Sequence, residues 1–60
     1  MGKYVIKKST TDTNQPYYFV LKADNGQVIA TSEMYASKQG AEKGIDSVKS
    51  NADSIIVDES

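Results

Sequence analysis

From Tyr17 to Ala23 the chain alternates so that Tyr17, Phe19, Leu21 and Ala23 fall on one side, and the run stops just short of Asn25-Gly26. Alternation of period two marks a strand with one buried face. Asn-Gly is the strongest short-range hairpin signal, because a type I′ turn needs positive φ at both central residues. A two-residue loop at Asn25-Gly26 therefore sets a register. It puts Ala23 opposite Val28, Leu21 opposite Ala30 and Phe19 opposite Ser32, with apolar residues meeting small or apolar ones on one face.

The remaining elements arrange themselves around this hairpin. Lys3 to Lys8 reads as a first strand, with Tyr4 and Ile6 on one face and Lys3, Val5 and Lys7 on the other. Ser9 to Gln15 is a polar loop closed by Pro16, which suits the start of a strand. Ser37 is a candidate N-cap, and Ala41, Ile45, Val48 and Ala52 recur at helical spacing as a narrow apolar stripe. Lys49 stands near the carboxyl end, where the helix dipole favours a cation, and Asn51 is placed to end the helix in a left-handed turn. Ile55-Ile56-Val57 reads as a short last strand. The order is β-β-β-α-β, an α+β unit in which an antiparallel sheet carries a helix on one face. Residues 1–60 are expected to form a single domain.

A core drawn from 60 residues is marginal unless a disulfide, a metal or a partner subunit supports it. With no cysteine and no histidine, disulfides and the common transition-metal sites are excluded, which leaves self-association. Charge is nearly balanced, with seven lysines, no arginine, eight acids and a net charge of -1. That balance argues against a dedicated nucleic-acid binder, which shows a basic surplus and uses arginine for bidentate contacts. No apolar run approaches the length of a membrane span and no signal-peptide pattern is present, so a cytoplasmic location is expected.

Two segments, FVLKADNGQVIATSEMY from Phe19 to Tyr35 and SKQGAEKGIDSVKSNA from Ser37 to Ala52, resemble the YegP-like family of small bacterial domains, whose function is not established. The pattern around Ile45, Val48, Asn51 and Ala52 is their most specific part. Some members of that family carry two such units in tandem and others one. The resemblance implies that two units, in one chain or two, build a single antiparallel sheet and exchange their C-terminal strands. A chain with one unit is then expected to be an intertwined homodimer, with Ile55, Ile56 and Val57 packed in the partner.

Few residues invite a chemical role. Glu42 and Asp46 stand one helical turn apart, a spacing able to hold a hard cation, but Lys38, Lys43 and Lys49 are interleaved with them as on an ordinary solvated helix face. Ser32 and Glu33 lie near Tyr35, yet a serine nucleophile needs an activating base and the chain has no histidine. The better reading is structural, with Ser32 or Glu33 meeting backbone donors at the turn and Tyr35 plugging the gap between sheet and helix. Gly40, Gly44, Ser47 and Asn51 form a row of small residues along the helix, expected to admit close approach by a second helix in a dimer.

The expectation is a non-enzymatic, cofactor-free homodimeric interaction module of unknown function. Its candidate binding face is the side of the sheet opposite the helix: Lys3, Val5, Lys7, Tyr18, Val20, Lys22, Ile29 and Thr31. The partners expected are a second copy and another protein. The alternative is a weak nucleic-acid-binding accessory protein that uses the same aromatic and basic face.

Overall fold

The middle strand of the sheet is the one with the strongest pattern. In a computed structural model, which describes residues 1–11 and 13–60, β1 (Lys3–Lys8), β2 (Tyr17–Lys22) and β3 (Val28–Thr31) form one antiparallel sheet in the order β1-β2-β3. Helix α1 (Lys38–Ser50) follows and lies across β2 and β1; among the described residues it does not reach β3. β1 and β2 pair without irregularity from Lys3–Lys22 to Lys8–Tyr17. The ladder extends one step further, where the Ser9 amide donates to the Pro16 carbonyl at 2.7 Å. In the loop from Ser9 to Gln15, Asp12 lies outside the described residues.

The second hairpin confirms the central pair and corrects the turn. Leu21 lies opposite Ala30 as the alternation requires. The loop, however, has three residues and not two: the Gly26 amide donates to the Ala23 carbonyl and the Ala23 amide to the Gln27 carbonyl. Gly26 has φ 88° and no non-glycine residue among those described has positive φ, so Asn25 is not left-handed and the turn is not type I′. The geometry fits a type I turn followed by a left-handed glycine, the other common short hairpin. Asn25 favours it by accepting the Gln27 amide on Oδ1 at 3.0 Å.

That extra loop residue has a consequence along the strand. The register shifts between Leu21 and Lys22, so that Lys22 and not Ala23 lies opposite Val28. A one-residue bulge turns every side chain beyond it to the other face. Val28, expected on the helix side with Ala23, instead shares the outer face with Lys22.

β3 then leaves the ladder and returns. Its last contact with Phe19 uses a side chain, because the Phe19 amide donates to Ser32 Oγ at 2.9 Å while the Ser32 amide donates to the Phe19 carbonyl. Tyr35 rejoins the sheet as an isolated antiparallel bridge to Tyr17. Ser37 caps α1 as expected, accepting the Gly40 amide at 3.0 Å. At the other end Asn51 has φ −108° and ψ 11°, so the helix does not close through a left-handed residue. The Asn51 amide instead shares the Ser47 and Val48 carbonyls, and its side-chain amide donates to the Ser47 carbonyl at 2.8 Å.

The core is small. Phe19 and Val20 are 5% exposed and Ala41 is fully buried, and no other apolar residue among those described counts as buried. The helical stripe loses cover along its length: Ala41 is buried, Ile45 half-buried, and Val48 and Ala52 exposed. The expected last strand does not form within this chain. No strand follows α1, and Ile55 and Ile56 stand 86% and 96% exposed. A lone three-residue segment has no ladder to join unless another edge receives it.

The turn predicts its own test. Replacing Gly26 with valine should lower stability by about 1–2 kcal/mol, the cost of forcing an L-residue into the left-handed region, with β-branching adding to it. Denaturant melts of the two proteins measure this. Equal midpoints would mean that Gly26 does not hold positive φ.

Candidate interaction surface

The helix is seated by an aromatic group. Phe19 and Tyr35 stack with ring centroids 6.2 Å apart and planes at 15°, and Tyr4 meets Phe19 edge-on at 5.9 Å. Tyr35 fills the space between sheet and helix, the role its position suggests. Gly40 and Gly44 rest on it. A Cβ on Gly40 would touch Tyr35 Cβ at 3.4 Å. One on Gly44 would collide with the Tyr35 hydroxyl and lie 2.7 Å from its Cζ and 3.0 Å from Phe19 Cε2. The close approach read from the row of small residues is thus occupied by Tyr35 and Phe19 of the same chain, where a second helix was expected. Ser47 and Asn51, the rest of the row, are exposed and joined to each other at the helix end.

Other residues with chemical promise take structural places. Ser32 donates to the Glu33 carbonyl at 2.7 Å while accepting the Phe19 amide, so its hydroxyl is committed to the backbone. Glu42 and Asp46 are both exposed, and among the described residues no cluster of acids could hold a metal ion. Beyond the helix, the Ser60 hydroxyl and amide both donate to Asp58 Oδ1, at 2.6 and 2.9 Å, and hold that carboxyl below its usual range. Lys49 stands 5.6 Å from the centre of the Tyr4 ring, near the negative end of the helix.

The outer face of the sheet gathers the residues of the candidate binding face. Lys3 lies opposite Lys22, Val5 opposite Val20 and Lys7 opposite Tyr18, with Thr31 beside Val20 on β3. Val20 is buried, between Val5 on β1 and Thr31 on β3. Lys22, Tyr18 and Val5 are half-buried, while Lys3, Lys7, Thr31 and Ile29 are exposed. Val28 joins this face through the bulge, and sequence reasoning missed it. The signal was present in Asp24-Asn25-Gly26, which serves a three-residue loop as well as Asn25-Gly26 serves a two-residue one. There is no cavity among the described residues.

A family model described as "Domain of unknown function (DUF1508)" matches residues 12–59. The chain belongs to this DUF1508 family. Among its relatives, the UPF0339 protein YegP of Yersinia pestis is 56% identical over 52 residues, covering 87% of this chain and 44% of that protein. YegP of Escherichia coli strain K12 is 59% identical over 51 residues, covering 85% of this chain and 44% of the relative. The chain therefore spans less than half the length of these DUF1508 relatives. A protein from Haloferax volcanii, solved in solution by NMR, has the same fold with a TM-score of 0.79 and 38% identity. That match covers 98% of this chain and 95% of the other. The family resemblance read from Phe19–Tyr35 and Ser37–Ala52 is correct, and the family's function is not established. No helix among the described residues is long and apolar enough to cross a membrane.

Gly44 is the position where helix propensity and packing have opposite signs. Alanine there should gain about 1 kcal/mol from propensity but lose about 1–3 kcal/mol by overpacking Tyr35 and Phe19, for a net loss. Tyr35→Phe removes the nearest atom, so Gly44→Ala should cost less in the Tyr35→Phe background than in the parent. A double-mutant cycle of denaturant melts reads the difference. A stabilising Gly44→Ala, or additivity across the cycle, would contradict this packing.

Proposed function

We propose that the chain is a non-catalytic homodimeric interaction module in which two copies exchange the segment Ile55-Ile56-Val57. One observation carries this reading: apolar residues suited to a strand stand in solvent in the single chain. Ile55, Ile56 and Val57 are consecutive β-branched residues, all exposed, beyond the last element of their own fold. The chain also offers an edge for them. β3 pairs on one side only and carries no charged residue, and Val28 and Ile29 on it are exposed. An unpaired edge of that kind is a template for another strand. The opposite edge, β1, carries Lys3, Lys7 and Lys8, the residue type that guards an edge against pairing. The tail of a second copy therefore adds to β3.

Two further facts support the reading. The core of three buried side chains is slight for an independent domain, and intersubunit burial is the stabilisation open to a chain without cysteine or histidine. The YegP relatives are more than twice as long as the region they share with this chain, so each has room for a second unit in the same polypeptide. The non-catalytic part rests on composition, since no histidine or cysteine is present to activate a nucleophile or bind a transition metal.

Sedimentation and thermal melts at several concentrations test this proposal. The chain should sediment as a dimer, with a midpoint that rises with protein concentration. Deleting residues 54–60 should abolish the dimer and most of the stability. A truncated chain that stays folded as a monomer would refute the exchange.

A further inference from the structure

Charge is sorted in this molecule by element. The three strands hold Lys3, Lys7, Lys8 and Lys22 and no carboxylate at all. Lys8 is taken up on the helix side, 5.6 Å from the centre of the Tyr17 ring. The other three lysines alternate onto the outer face, and two of them, Lys3 and Lys22, lie directly across one rung of the sheet. Like charges directly opposite destabilise a sheet, and no strand residue offsets this pair. The described acids lie elsewhere: Asp24 in the hairpin loop, Glu33 before the helix, Glu42 and Asp46 on α1, and Asp53, Asp58 and Glu59 after it. A chain of net charge -1 thus presents one face lined by cations. Between the cations lie Val5, Val20 and Tyr18.

We propose that this outer face docks an acidic, extended segment of a protein partner, with two carboxylates four residues apart and an apolar side chain midway. The inference rests on the reading of the chain as an interaction module and names the partner's chemistry. Lys3 and Lys7 are four residues apart on β1, about 13 Å in extended chain. An extended peptide has the same repeat, so its residues i and i+4 meet the two lysine ends while residue i+2 covers Val5 beside Val20. A nucleic acid fits this face less well. Its charge continues along the whole backbone, whereas this face offers three lysines. The chain also has no arginine to grip phosphate through two hydrogen bonds.

The test is an NMR titration of the full chain with a blocked peptide holding two copies of Glu-Ser-Leu-Ser-Glu. Amide shifts should centre on Val5, Val20 and Tyr18, and the same peptide with glutamine in place of glutamate should not bind. The double variant Lys3→Gln, Lys7→Gln should bind about five- to tenfold more weakly, the scale expected from two exposed charge contacts. Its sedimentation should match the parent's. A monomeric parent that still binds the peptide on this face would refute the dimer and support the present proposal. Shifts confined to the β3 edge or α1, or an unchanged affinity in the double variant, would overturn it. So would a uridine oligonucleotide that occupied the same face more tightly than the peptide at physiological salt.

Discussion

The fold depends on an absent methyl group. Helix α1 lies on the sheet at the height set by Tyr35 stacked on Phe19, and that height leaves no room for a Cβ at residue 44. Each other part of the core follows from this seat. Ala41, one turn earlier on the same side of the helix, is small enough to be buried completely, and Gly40 lets the first turn close over the Tyr35 ring. Tyr35 is itself held at its backbone, by the bridge to Tyr17, so the ring is fixed from below by the sheet. Propensity alone disfavours two glycines in a helix of 13 residues. Packing outweighs it here, because a helix raised by one methyl layer would lose contact with Phe19.

The same economy leaves the molecule incomplete on one side. α1 covers β1 and β2 but not β3, and its apolar stripe runs out of cover toward Val48. The apolar residues without a place are in β3 and after the helix. Hydrophobic exposure on a single β-strand is ordinary, but an uncharged edge in a chain that also exposes a β-branched segment is a combination that invites strand pairing. The outer face has a different character. Its centre is buried at Val20 and its ends carry the lysines Lys3, Lys7 and Lys22.

Much of this was legible in the residues. The alternation from Tyr17 to Ala23 identified β2 and its buried face, because a central strand must satisfy both neighbours and so shows the cleanest pattern. Ser37 was legible as a cap because the hydrogen bond it makes is local. Tyr35 as a plug followed from its place between strand and helix. The turn was not legible: Asp24-Asn25-Gly26 is compatible with both a two- and a three-residue loop, and the difference flips Val28 to the opposite face. Asn51 was misjudged as left-handed because its amide finds two carbonyls with ordinary φ, an arrangement that residue type does not distinguish.

By itself, the sequence determined the elements, their antiparallel order, the cap of the helix and the family, since each rests on patterns within a few residues of one another. It also determined the want of histidine and cysteine. Only the tertiary structure decided what the glycines of α1 are for, which depends on Tyr35 and Phe19 meeting from distant parts of the chain. It also decided which face receives Val28, through a single bulge, and it left Ile55 to Val57 without a strand to join. Those outcomes turn on contacts between elements at ångström scale, and no local pattern of residue types encodes such distances.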